Sequence, residues 1–174
     1  MPQKKRRLAT AEERKALAHP LRIRILRLCL DESLTNKEIA DALGKDPGST
    51  LFHVRKLMEQ GFLGLEEVRA GQGGALEKPY RATGKSWELD MGLEEASGAL
   101  FAVDAFRVEL VEAGHTELLM YIRSALKLNE KHMRELIDSL QATIDEFSDL
   151  NDADGRRVSL FAAMHERPKR KRRR

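Results

Sequence analysis

One cysteine in 174 residues leaves nothing to pair with inside the chain, so a disulfide framework is excluded. No run of about 18 apolar residues is present, which removes a membrane-spanning helix. The basic start MPQKKRR has no apolar stretch behind it and does not read as a secretory signal. A soluble, cytoplasmic protein is the expectation. Enzyme motifs are missing too: there is no GxSxG, no Walker loop, no HExxH, and no cysteine–histidine pair that the order of residues brings together. AGQGGA at 70–75 is rich in glycine, but it lies between two predicted strands, with no helix behind it to hold a phosphate. Neither catalysis nor a cofactor is expected.

Aromatics are also scarce, at 5%, while charged residues reach 34% and hydrophobic residues 41%. That balance allows a packed core built mainly from helices with solvated faces. The charge lies in blocks. Residues 1–86 carry 17 Lys/Arg against 11 Asp/Glu, residues 87–166 carry 7 against 17, and the last eight residues carry seven cations and no acid. A basic front and an acidic back imply that one surface meets a polyanion and the other does not, unless the asymmetry is chance.

Thr10 and Glu13 have the spacing of a capping box, which starts a helix that Pro20 interrupts and restarts. In the second helix Leu21, Ile25 and Leu28 repeat at helical spacing beside Ile23, Leu26 and Cys29. Cys29 reads first as a small core residue, with a metal or redox sensor as the alternative. Thr35 and Glu38 form a second capping box before Ile39, Ala40 and Leu43, and Gly44 ends that helix. Asp46-Pro47 opens the next one over 46–60, with Leu51, Val54, Leu57 and Met58 expected inward. Two extended segments, 62–69 and 76–83, flank 70–75 as a hairpin.

Beyond Trp87, eleven of the sixteen positions 96–111 are apolar, and Gly114 marks a stop. A helix so apolar around its circumference is buried on more than one side. Another helix is expected over 129–148, burying Met133, Leu136, Ile137, Leu140, Ile144 and Phe147. The segments 121–128 and 157–164 read as strands, the first equally as an extension of a helix, and NDADG at 151–155 reads as a turn.

Helix, tight turn, helix and hairpin is the layout of a winged helix-turn-helix, which presents one helix to the DNA major groove. If Val54 and Leu57 face the core, Ser49, Phe52, His53 and Lys56 fall opposite, with Thr50 and Arg55 beside them and no acid before Glu59. An ordinary solvated face is the competing explanation. The stretches ALAHPLRIRILRLC, TNKEIADALG and STLFHVRKLMEQGFL, with EKPYRATGKSW closing the hairpin, resemble the DNA-binding domain of ArsR-type winged-helix transcriptional regulators of bacteria, over residues 10–90. The resemblance implies a homodimer on a palindromic double-stranded DNA operator, usually as a repressor. It implies DNA contacts from Ser49, Thr50, His53, Arg55 and Lys56 on the reading helix, and from Asn36, Lys37, Arg69, Gln72, Lys78 and Arg81 on the flanks and wing. The paired cysteines that metal-sensing members carry on the preceding helix are not present in NKEIADAL. Asp104, His115, Glu117, His132 and Glu135 lack the spacing of a closed site, so no metal is expected.

The expected organisation is α+β, mainly α with a small β component. A disordered basic arm spans 1–9, a winged helix-turn-helix 10–90, and a helical dimerisation region 91–166 that leaves room for a small-molecule or protein effector. A disordered basic tail, 167–174, ends the chain with non-specific phosphate affinity or a fold-back onto its own acidic half. Leu100, Val103, Phe106 and Leu110 are the expected dimer contacts, unless helix 129–148 covers them within one chain. Two other functions fit less well. A protein-interaction adaptor has no need of an acid-free face at Ser49, His53, Arg55 and Lys56. A non-specific nucleic-acid binder would depend on its tails.

Overall fold

The computed structural model of the chain describes residues 5–71, 74, 76–92, 96–148, 150, 152 and 154–167, with the side chains of 96–99 and 115 outside that description. The fold is α+β. Both capping boxes form: Thr10 and Glu13 start α1 (Ala11–Leu17), and Thr35 and Glu38 start α3 (Asn36–Leu43). Between them, α2 (Pro20–Asp31) opens on the proline the sequence supplies, and the His19 Nδ1 accepts the Leu21 N–H at 3.1 Å as its cap. Gly44 ends α3 in the left-handed conformation, φ 60°, which a side chain would strain. Lys45 N–H then bonds Ala40 O at 2.9 Å, and Asp46 caps α4 (Pro47–Glu59) through the Ser49 N–H at 2.9 Å. The Asn36 side-chain amide donates to Pro47 O at 2.8 Å, tying the start of α3 to the start of α4.

Ile25 and Cys29 of α2, Ile39 of α3, Val54 and Leu57 of α4 and Phe62 behind it are fully or almost fully buried in one cluster. Burial pushes the Cys29 thiol up to about 12, so this cysteine is a core residue that resists ionisation.

The expected hairpin is present in two pieces. Leu63–Leu65 pairs with Pro79–Ala82, and Arg69–Ala70 pairs with Leu76–Glu77, all antiparallel. Leu34–Thr35, just before α3, adds a third strand beside Pro79–Ala82, which locks the hairpin base to the helix-turn-helix.

Three expectations are corrected. The basic arm is not free over residues 5–9: Arg7–Leu8 pairs in parallel with Leu89–Asp90, and Ala9 is buried. The cause is Glu13, a buried carboxylate that receives Arg7 Nη2 at 2.6 Å, Lys85 Nζ at 2.8 Å and the Thr10 N–H at 2.8 Å. Those donors, Arg7 first, hold its carboxyl well below the usual range. Residues 1–4, and 168–174 of the basic tail, lie outside the described chain. Second, 121–128 and 157–164 are neither strand nor helix. Their apolar content predicts burial, but every residue from Leu118 to Leu128 is exposed. Third, α6 (Glu130–Ser148) forms where expected but leaves Ile137, Leu140 and Phe147 exposed.

The long apolar helix, α5 (Ala96–Ala113), lies against α2, with Ala105 fully buried and Arg24 Nη2 reaching both Glu112 carboxylate oxygens at 2.6 Å. Arg6 pairs with the buried Asp145 of α6. Among the described residues no helix is long and apolar enough to cross a membrane.

Candidate nucleic-acid interface

Burial divides α4 into two faces. Thr50, His53, Val54 and Leu57 point inward; Ser49, Phe52, Arg55, Lys56 and Glu59 point outward. The register therefore differs from the expected one at two site residues. Thr50 is fully buried, its hydroxyl donating to Asp46 O at 2.9 Å, and His53 is 9% exposed. The expectation set His53 opposite the core and Thr50 beside that outer face, yet Thr50, His53, Val54 and Leu57 fall at i, i+3, i+4 and i+7, which is one helix face. Packing of α1 and α2 against α4 turns them in. The His53 ring lies 4.5 Å from the His19 ring, and its Nδ1 has no hydrogen-bond partner among the described residues. Desolvation lowers the pKa of both imidazoles, with the Arg22 charge adding to it. Neither Thr50 nor His53 presents its side chain to a ligand in this arrangement.

The outward face keeps Ser49, Arg55 and Lys56. Arg55 has no charged partner among the described residues, whereas Lys56 donates to Glu59 at 2.8 Å. At the turn into α4, Lys37 and Lys45 are exposed and equally free of acids among the described residues. Lys45 was missed by the sequence reading. Its place between the αL glycine and the Asp46 cap, in the turn itself, is what could have found it. These groups make a basic surface whose acids at α4 are Asp46, bonded to the Ser49 N–H as the cap, and Glu59, paired with Lys56.

The wing residues divide. Lys78 is exposed and unpaired among the described residues. Arg69 is held by Glu38 at 3.0 Å and Glu77 at 3.1 Å, so it braces the hairpin against α3. The Glu38 carboxyl is lowered first by the Thr35 N–H, with Arg69 adding to it. Arg81 reaches back to Asp31 O, at the end of α2, at 3.4 Å. Asn36 spends its amide on the α3–α4 contact. Gln72 lies outside the described residues.

Of the four expected dimer contacts, Leu100 is 64% exposed and Val103 and Leu110 each 38%. Phe106 is half-buried, its ring 5.6 Å from Phe161 of the same chain. Among the described residues no three His, Cys, Asp or Glu side chains are grouped to hold a metal. A hollow of about 490 Å³ is lined by Lys5, Arg6, Thr83, Gly84, Trp87 and Glu88. That set includes no histidine or cysteine.

Residues 17–66 match a family model described as a helix-turn-helix domain. The match begins at the end of α1 and ends just after the first hairpin strand, so it encloses the whole α3–α4 unit. No curated protein matches the chain. Among solved structures, the chain is similar to the transcriptional regulator SlyA at 17% identity and a TM-score of 0.34, over 74% of this chain and 75% of that one. It is also similar to two mutant forms of Lactococcus lactis ZitR. A double mutant in apo form is 19% identical, with a TM-score of 0.33 over 76% of this chain and 85% of that one. A single mutant is 15% identical, with a TM-score of 0.32 over 84% of each chain.

Proposed function

We propose that the chain is a dimeric, sequence-specific DNA-binding transcriptional regulator, a repressor of the ArsR-like winged-helix type that works in a bacterial cytoplasm without catalysis. α4 enters the major groove, and the hairpin, through Lys78, follows the adjoining phosphates. The observation that carries this reading is the outward face of α4: Ser49 and Arg55 stand free on a rigid, capped helix, with Lys37 and Lys45 beside its start. Arginine in this position donates twice to one guanine edge, and lysines on the flank fix the register on phosphate.

Dimerisation places two such helices on one face of the duplex. Leu100, Val103 and Leu110 on α5, with Ile137, Leu140 and Phe147 on α6, form apolar surface that DNA does not cover and a second copy does. The test is affinity for a duplex selected by the full chain from a random library. Arg55→Ala should lose about 1–3 kcal/mol on that duplex while keeping its circular dichroism, the worth of one direct base contact. Unchanged binding by Arg55→Ala and Ser49→Ala together would remove α4 as the reading element.

A further inference from the structure

Phe52 is the anomaly on the reading face. It stands 57% exposed on the outward side of α4, between Ser49 one turn before it and Arg55 and Lys56 one turn after. Its ring is not loose: it meets the His53 ring edge-on, 5.4 Å between centroids, and His53 is itself packed on His19 at the cap of α2. The core therefore braces an apolar side chain that points away from it. An exposed phenyl group flanked along its helix by Ser49, Arg55 and the Lys56–Glu59 pair is a poor match for an apolar protein surface, because docking one would desolvate the Arg55 guanidinium, which has no charged partner among the described residues. It matches a surface that is polyanionic at its rim and carries isolated methyl groups at its floor. The major groove is such a surface, and the 5-methyl group of thymine is the only alkyl group on its floor.

We propose that Phe52 reads thymine by packing its ring on the 5-methyl group, one base step or two from the pair contacted by Arg55. The inference rests on α4 being the DNA-facing helix, and it adds the base class that helix selects. Arg55 supplies hydrogen-bond readout, and Phe52 supplies a contact with no hydrogen bond at all. A position specified in this way tolerates any base that carries the methyl in the same place and rejects uracil, which differs from thymine only there.

The experiment uses the full chain and the highest-affinity duplex it recovers from a random library, remade with uracil for thymine at one position at a time. Wild-type protein should lose roughly fourfold in affinity at one thymine per half-site, the worth of burying one methyl group, and little elsewhere. Phe52→Ala should bind the parent duplex more weakly and be indifferent to uracil at that position. Phe52→Leu, which keeps an apolar contact, should retain part of the discrimination. A selected duplex with no invariant thymine, or uracil tolerated throughout by wild-type protein, overturns the thymine contact and leaves α4 as a reader by other residues. So does a Phe52→Ala protein with wild-type affinity and unchanged uracil sensitivity, which would assign Phe52 to a protein partner instead. Failure to enrich any sequence defeats the DNA-reading function itself, and this proposal with it.

Discussion

Residues 5–92 and residues 96–167 are built to different degrees of completion. In the first, helices α1–α4 and the hairpin close around one cluster, and the large apolar side chains left outside are Leu8, Phe52, Leu65, Val68, Leu76 and Trp87. In the second, a long stretch from Leu118 to Leu128 is exposed without regular structure, and α6 turns half its apolar stripe to solvent. Among the described residues six large hydrophobic side chains are exposed in the first region and eighteen in the second. Scattered exposed leucines are ordinary, whereas Leu118, Leu119, Met120, Tyr121 and Ile122 are exposed in succession along the chain, and the proposed reading takes them as contact surface. On the proposed reading the front half, which packs on α5 through α2, is the DNA-reading unit, and the back half is the surface that a second copy covers.

The contrast can be broken most forcefully in the core. Leu57→Ala removes a fully buried side chain from α4 and should cost about 2–5 kcal/mol in denaturant unfolding, whereas Leu140→Ala on α6 should cost far less when measured on monomer. Equal losses would erase the distinction between the two regions. Next in size is assembly. Val103→Glu places a charge in the proposed two-fold contact and should raise the dimer dissociation constant at least tenfold, about 1.4 kcal/mol, without lowering helix content. Sedimentation of the variant beside wild type reads this, and an unshifted dimer would move the interface off α5.

Smaller again is the effect of the basic tail. Deleting 167–174 removes seven cations and should weaken binding to all duplexes alike, flattening the salt dependence while leaving sequence preference intact. Lost preference in a folded truncation would take specificity away from α4. The smallest effect is on pH. His19 and His53 both have pKa values lowered below the ordinary imidazole value of about 6.5, because burial and Arg22 disfavour their charged forms. The unfolded chain thus binds their protons first. The stability they confer is complete above about pH 6.5 and is lost as the pH falls from there through the folded values. The charged and titratable groups at the pair are Arg22 and the two imidazoles themselves. Protonating His19 at Nδ1 also removes the acceptor of the α2 cap. Unfolding midpoints at pH 7.5 and 5.5 should differ less in His53→Gln than in wild type.

The front half was legible because its residues act locally. Capping boxes at Thr10 and Thr35, Pro20, Gly44 and Asp46-Pro47 each fix a boundary by chemistry within four residues, and all of them form. In α4 the residue types, not the spacing, were misleading: Thr50, His53, Val54 and Leu57 fall at i, i+3, i+4 and i+7, but the polarity of Thr50 and His53 suggested solvent, whereas His53 packs on the His19 ring. The Arg7–Glu13–Lys85 cluster was invisible because Lys85 is remote in sequence from Arg7 and Glu13, and all three look solvated until the fold brings them together. The segments at 121–128 and 157–164 carry apolar content that predicts burial, yet 121–128 are all exposed and in 157–164 only Phe161 is half-buried.

On the proposed reading the two regions are tied together: the back half pairs with a second copy and so duplicates the reading unit. Footprinting the full chain on its selected duplex tests that most directly. The account predicts two protected half-sites related by a two-fold axis, with centres about 10 base pairs apart or a multiple of that. A single protected half-site with no symmetric mate, at protein concentrations that saturate the duplex, would contradict it.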